Sequence, residues 1–238
     1  MSVIVTGASS GIGLAIAERY LKEGYSVFGL DKDGPTILDN AYHHRITDLN
    51  SSTEIGDAIN EYQVSDENNV LVNAAGTREI VPLSNLSLDK WNDVLNLNLT
   101  APFLLSKLFS IKIKDYGKIG NIINIASTSG VLGEPNRTAY VTSKHALIGL
   151  TKQLAIELGG WNIRANSISP GVIRTPLTES YYSNEVQIEK IKSGQFIGHM
   201  GTVRDIADIA YFIGKIESEF ITGSNFNIDG GWTAGKNI

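Results

Sequence analysis

Short β-branched apolar runs alternate with helical patterns along the whole 238-residue chain, and this alternation restricts the fold more than any other feature. Val3-Ile4-Val5 is followed by Ile12, Ile16 and Tyr20 at a spacing of four, the apolar stripe of an amphipathic helix. Residues 26–30, 70–72, 122–125, 163–168 and 225–228 read as further strands. After 122–125 comes a helix with Leu147, Leu150, Leu154 and Leu158 at its apolar positions. Strand, crossover helix and strand make a parallel βαβ unit. Repeated units predict a Rossmann-type doubly wound parallel sheet in a three-layer α/β/α sandwich. No internal repeat, low-complexity tract or linker divides the chain, so residues 1–238 are expected to form a single domain. Two stretches resist the pattern. Residues 31–48 are irregular, too short and too broken by Gly34 and Pro35 for a full crossover helix. Residues 177–200 are polar and aromatic by turns, with Tyr181, Tyr182, Phe196 and His199. That second stretch reads as a lid over a substrate site.

Charge and composition exclude several classes of function. A net charge of -5 argues against a nucleic-acid partner or an anionic membrane surface. With no cysteine, the chain has no disulfide, thiolate metal site or Cys nucleophile. Its four histidines show no metal-ligand spacing, so no metal is expected. The first residues lack a basic segment and an apolar stretch of signal-peptide type, and nothing approaches the run of about 18 apolar residues that spans a bilayer. A soluble cytoplasmic protein is expected.

Thr6-Gly7-Ala8-Ser9-Ser10-Gly11-Ile12-Gly13 lies between the first strand and the first helix. In an α/β fold that turn binds a pyrophosphate, because glycines let the backbone approach and free N–H groups at the helix start face negative charge. Gly7, Ser9, Ser10, Gly11, Ile12 and Gly13 are therefore candidate cofactor contacts. The loop lacks the Gly-Lys-Ser/Thr ending of a P-loop, which disfavours an NTPase. Asp31 closes the second strand, 18 residues past Gly13. A carboxylate there can accept hydrogen bonds from both adenosine ribose hydroxyls and repels a 2′-phosphate, which favours NAD(H) over NADP(H). The competing reading is a strand-end residue that starts a turn, and Lys32 is a dissenting charge.

Tyr140 and Lys144 stand four apart, so in a helix they share one face. Tyrosine alone titrates near ~10, and a neighbouring cation favours the phenolate, making the phenol a usable acid and base. The same spacing suits a partly buried tyrosine beside a solvated lysine.

Taken in order, these motifs resemble the short-chain dehydrogenase/reductase family over essentially the whole chain. The glycine loop is similar to that family's Thr-Gly-x-x-x-Gly-x-Gly. Asp48-Leu49 resembles its acidic position after strand three, which meets the adenine. Asn73-Ala74-Ala75-Gly76 resembles its Asn-Asn-Ala-Gly element, with the second Asn replaced by Ala. Asn98 falls at the family's mid-helix catalytic Asn, and Ser127, 13 residues before Tyr140, at its catalytic Ser. Pro170-Gly171-Val172-Ile173-Arg174-Thr175-Pro176 is similar to the segment that holds the nicotinamide carboxamide, which adds Pro170, Gly171, Ile173 and Thr175 as cofactor contacts. Asp229-Gly230-Gly231 is similar to the family's closing strand region.

The resemblance implies hydride transfer between NAD(H) and a secondary alcohol or ketone. Tyr140 would be the general acid and base, with Lys144 lowering its pKa and bonding the nicotinamide ribose. Ser127 would bind the substrate oxygen, and Asn98 would anchor a water leading from Lys144 to solvent. Other roles compete: a neighbouring hydroxyl for Ser127, a helix kink near Pro102 for Asn98, a helix cap for Thr175. The walls of the substrate site would be Thr77 and Arg78, residues 131–137 and the lid. They suit a sugar, polyol, cyclic hydroxy acid or dihydrodiol. A 3-oxoacyl-carrier-protein reductase using NADPH is the alternative, and a non-catalytic dinucleotide sensor or scaffold a more distant one. The resemblance also implies a homo-oligomer, a tetramer or a dimer.

Overall fold

A computed structural model describes residues 1–182, 185–215 and 217–235, apart from the side chains at positions 187 and 190. Six strands line up with the runs read from the sequence: β1 (Ser2–Thr6), β2 (Ser26–Asp31), β4 (Asn69–Asn73), β5 (Gly120–Ile125), β6 (Ile163–Pro170) and β7 (Asn225–Ile228). With β3 (Tyr42–Ile46) they form one seven-stranded sheet in the order β3-β2-β1-β4-β5-β6-β7, with β3 and β7 at its edges. Every pairing is parallel. The chain runs outward from β1 to β3, then returns to β4 and runs outward the other way. The order thus reverses between β1 and β4, and a crevice opens at their carboxyl ends.

β3 corrects the expectation that residues 31–48 are wholly irregular. Its sequence, Tyr-His-His-Arg-Ile, carries no apolar run, and only Tyr42 is buried. As an edge strand it pairs with β2 alone, so one flank faces solvent and polar residues are tolerated there. No helix joins β2 to β3, in keeping with the breaks at Gly34 and Pro35.

Alternation along the strands sends side chains to two layers. Val3, Val5, Val27 and Val72 pack with Ile16 and Tyr20 of α1 (Gly11–Lys22) and with Ile206, Ala210 and Ile213 of α8 (Val203–Gly214). Ile4, Phe28, Leu71 and Ile122 point the other way. They meet Ile55 and Ile59 of α2 (Ser52–Glu61), Leu105, Phe109 and Ile113 of α4 (Ala101–Asp115), and Leu154 and Leu158 of α5 (Thr138–Leu158). This is the three-layer sandwich, a Rossmann-type single domain.

α3 (Leu88–Leu95) runs into α4 through a π-helical turn at Asn96–Thr100. The continuous helix Leu88–Asp115 is long and apolar enough by length and composition to cross a membrane, but its apolar side is that of a core helix against the sheet. In the segment read as a lid, α6 (Glu179–Tyr182) and α7 (Glu185–Ser193) are short helices, and positions 183 and 184 lie outside the described residues.

Candidate active site

At the end of β1 the chain turns on Gly7, whose φ of +68° lies in the left-handed region. A Cβ at Gly13 would sit 2.2 Å from the Gly7 carbonyl oxygen, so the loop can close onto α1 only with glycine there. The hydroxyl of Thr6 accepts the N–H groups of Ala74 and Ala75, both at 3.0 Å, and so fastens the loop to the segment after β4. The side chain of Ser10, the N-cap of α1, caps none of the first-turn N–H groups. Those donors stay available to an anion.

These elements enclose a crevice of about 460 Å³. Gly7, Ser10, Gly11, Ile12 and Gly13 form its floor, Asp31, Asp48 and Leu49 one end, and Ala74, Ala75 and Gly76 a wall. Thr175 closes it from above the loop, 3.3 Å from where a Gly11 Cβ would be. The main-chain N–H of Thr175 donates to Thr178 at 2.9 Å, in a turn that precedes α6. Asp31 Oδ2 accepts the Ser9 N–H at 3.0 Å and Oδ1 the Asp33 N–H at 3.1 Å, which fixes the carboxylate and leaves lone pairs on both oxygens. Asp48 is held by Asn50, whose backbone N–H and side-chain amide donate to Oδ1 at 2.9 and 3.1 Å.

Seven expected contacts are not among the residues that line this crevice: Ser9, Asn73, Tyr140, Lys144, Pro170, Gly171 and Ile173. Ser9 is buried beneath it, donating its hydroxyl to the carbonyl oxygens of Asp33 and Gly34. Asn73 is buried in the sheet, where its amide donates to Asn124 at 2.8 Å and ties β4 to β5. Pro170 ends β6, and the next residue, Gly171, backs onto Asp229, whose Cα would lie 2.9 Å from a Cβ at that position. Gly171 and Ile173 line a separate cavity of about 160 Å³ that also holds His199. Thr47 and Leu97 do line the crevice without having been singled out. Thr47 follows the unread strand β3, and Leu97 is the neighbour of Asn98.

The chemistry gathers at the carboxyl end of β5. Tyr140 lies in the first turn of α5, Lys144 one turn later, and Ser127 two residues past β5. Burial pushes the Tyr140 phenol up, and a hydrogen bond with Ser127 pulls it down. Glu134 raises it further, while Arg137 and Arg78 lower it. Lys144 is buried rather than solvated. Its ammonium donates to the Ile125 carbonyl oxygen at 2.8 Å and lies 5.8 Å from the Tyr140 ring centroid. Desolvation brings its pKa down from 10.5 to about 8. The positive charges acting on the phenol in this arrangement are thus the two arginines. Among the neighbouring hydroxyls, Ser127 is the one bonded to Tyr140, whereas Ser129 donates to Glu134 at 2.7 Å.

Asn98 sits inside the π-helical turn, so kink and candidate residue coincide. Its amide donates to the Thr77 carbonyl at 2.8 Å and to the Ser143 hydroxyl at 3.0 Å, while its Oδ1 accepts the Thr77 N–H at 2.8 Å. A Cβ at Gly76 would come within 3.2 Å of that Oδ1 and 3.6 Å of Lys144 Nζ, which shows how closely the crevice wall meets the lysine.

Two contacts escaped the sequence, although Arg78, residues 131–137 and the lid were each expected to wall the substrate site. Glu79 is buried, and its carboxylate accepts the N–H groups of Ala139 at 2.7 Å and Tyr140 at 3.0 Å, capping α5 from a distant loop. Arg137, at the N-cap, makes no side-chain cap bond, so no local signal announces this. Arg78 and Arg137 both donate to the hydroxyl of Tyr181.

Residues 7–233 match a family model described as enoyl-(acyl carrier protein) reductase. A D-beta-hydroxybutyrate dehydrogenase of Rhizobium meliloti is 30% identical over 98% of both chains. A trans-4-hydroxycyclohexanecarboxylate dehydrogenase of Sinomonas cyclohexanicum is 34% identical over 100% of this chain and 85% of its own. Among solved structures, a 4-hydroxyisoleucine dehydrogenase complexed with NADH superposes with a TM-score of 0.93 at 44% identity, covering 99% of each chain. A mutant of that enzyme complexed with NADH and succinate gives 0.94 at 43%, covering 100% of each. The chain belongs to the short-chain dehydrogenase/reductase family, oxidoreductases that interconvert alcohols and carbonyls with a nicotinamide dinucleotide.

Proposed function

We propose that this protein is an NAD(H)-dependent dehydrogenase of a secondary alcohol on a small hydroxy acid, with Tyr140 as its acid and base. One observation carries the reading: Ser127, Tyr140 and Lys144 converge beside a glycine-walled crevice whose far end holds a fixed carboxylate, Asp31. Gly7 and Gly13 let the loop pack against Ala75 and close onto α1, which forms the cradle offered to a pyrophosphate. A bound nicotinamide would accept or supply the hydride.

The protein's own residues manage the proton. In oxidation, the Tyr140 phenolate takes the alcohol O–H proton, and the Ser127 hydroxyl steadies the oxygen as charge develops on it. In reduction the phenol returns that proton. Lys144, titrating near 8 beside the crevice wall, would bond the nicotinamide ribose and exchange protons near neutral pH. Asn98 fixes the Gly76–Thr77 turn against the catalytic helix and keeps an Oδ1 lone pair for a relay water. Residues 177–200 would close over the substrate. The relatives, named for hydroxybutyrate, hydroxycyclohexanecarboxylate and hydroxyisoleucine, support a small hydroxylated carboxylate. Self-association through the outer faces of α4 and α5, which expose Phe103, Ile111 and Ile156, completes the reading.

Fluorescence titration with NADH and NADPH, followed by an alcohol and ketone panel, tests it. NADH should bind at least tenfold more tightly, about 1.4 kcal/mol. Equal or tighter NADPH binding would overturn the role given to Asp31.

A further inference from the structure

We infer that Arg78 and Arg137 form a clamp for the substrate's carboxylate, closed here on the hydroxyl of Tyr181. This rests on Tyr140 being the acid–base group, and it names what holds the rest of the substrate. Arg78 Nη1 donates to the Tyr181 hydroxyl at 2.6 Å, and Arg137 Nη2 donates to the same oxygen. The two guanidinium carbons lie 4.5 and 5.7 Å from the Tyr181 ring centroid. Two cations thus share one neutral acceptor, although like charges at such range repel and a phenol oxygen compensates neither.

The local charge shows what is missing. Arg137 Nε pairs with Glu134 at 2.7 Å, whereas among the described residues no carboxylate forms an ion pair with Arg78. One positive charge remains, which matches one carboxylate. Guanidinium forks suit that group geometrically, because their parallel N–H donors meet both carboxylate oxygens. Arg78 keeps four of its five donors outside the bond to Tyr181, and Arg137 keeps Nη1.

The clamp also stands at a useful place. Both arginine charges act on the Tyr140 phenol, and Arg137 precedes Tyr140 by three residues on the same turn. Glu134, which braces Arg137, is bonded through Ser129 to Ser127. One connected set of side chains therefore spans the reacting oxygen and the distal anion. Tyr181 belongs to α6, in the segment proposed as a lid. A carboxylate arriving between the arginines takes the place of the phenol oxygen, whose O–H can then donate to it.

Succinate, a small dicarboxylate, and succinamide, its neutral counterpart, are suitable probes for the NADH-loaded protein, read by NADH fluorescence. Succinate should bind and succinamide should not. Arg78→Gln should weaken succinate at least tenfold, and Arg78→Lys by less, because it keeps the charge and loses the fork. Arg137→Gln should behave as Arg78→Gln does. NADH affinity and melting temperature report that the variants are folded. Unchanged succinate binding in folded Arg78→Gln, equal binding of succinamide, or no succinate binding by the native protein would each overturn the clamp. Failure of the acid–base assignment looks different: Tyr140→Phe would keep turnover while succinate binding still depended on the arginines.

Discussion

The crevice proposed for the cofactor and the region proposed for the substrate are built by opposite means. Backbone shapes the crevice: Gly7 and Gly13 permit a turn that no side chain could enter, Thr6 pins Ala74 and Ala75, and α1 offers unpaired N–H groups. Side chains from three distant segments shape the proposed substrate region, where Arg78, Arg137 and Tyr181 meet around one oxygen. Backbone geometry is set once the sheet forms, so the crevice is ready before any ligand arrives. Side-chain geometry can be rearranged, and a substrate can replace one partner with another. A family can keep its cofactor and change its substrate for the same reason.

Substitutions should separate the two regions. Gly13→Val puts a branched side chain where even a Cβ falls 2.2 Å from the Gly7 carbonyl oxygen. NADH affinity in a fluorescence titration should fall by about a hundredfold or more, roughly 2.7 kcal/mol. Binding within a few-fold of native would show that the loop does not shape the crevice.

Glu79→Gln acts on the other side. It keeps the size of the buried side chain but removes the charge facing the N–H groups of Ala139 and Tyr140. Loss of a charged cap of this kind costs about 1–2 kcal/mol, so the melting temperature should drop by a few degrees. Loosening Tyr140 should lower kcat about tenfold with NADH affinity unchanged, whereas a purely structural Glu79 would lower stability alone.

Lys144→Met is read as a pH dependence. Folding lowers the lysine's pKa from 10.5 to about 8, so between those values the unfolded chain holds the proton that the folded one has lost. Stability of the cofactor-free protein should gain from this group as pH rises through that window, by up to about 1.4 kcal/mol per unit, and not below it. The difference between native and Lys144→Met denaturation curves should carry this slope. A flat difference would mean that the lysine is not desolvated.

The features legible in the sequence were those fixed by local spacing. A glycine turn after a β-branched run and a Tyr-x-x-x-Lys on a helix each need only neighbours in the chain, and their positions follow from the strands beside them. β3 was hidden because an edge strand of Tyr-His-His-Arg-Ile has no apolar alternation to detect. Arg78 and Arg137 meet Tyr181 across 103 and 44 residues, and Glu79 reaches Ala139 across 60. No pattern within a single element encodes such meetings. Asn73 shows the converse, since its motif is legible but its side chain serves the sheet, bonded to Asn124. Gly171 and Ile173 likewise belong to a motif that can be read, yet they line a smaller cavity away from the crevice.

The most direct test is Tyr140→Phe, which removes one oxygen from the hydrogen bond with Ser127 and leaves the crevice untouched. Turnover and NADH affinity should be measured on the same preparation. Turnover should fall by about a thousandfold or more while NADH binding stays within a factor of two. Turnover within a few-fold of native would contradict the assignment of Tyr140 as acid and base.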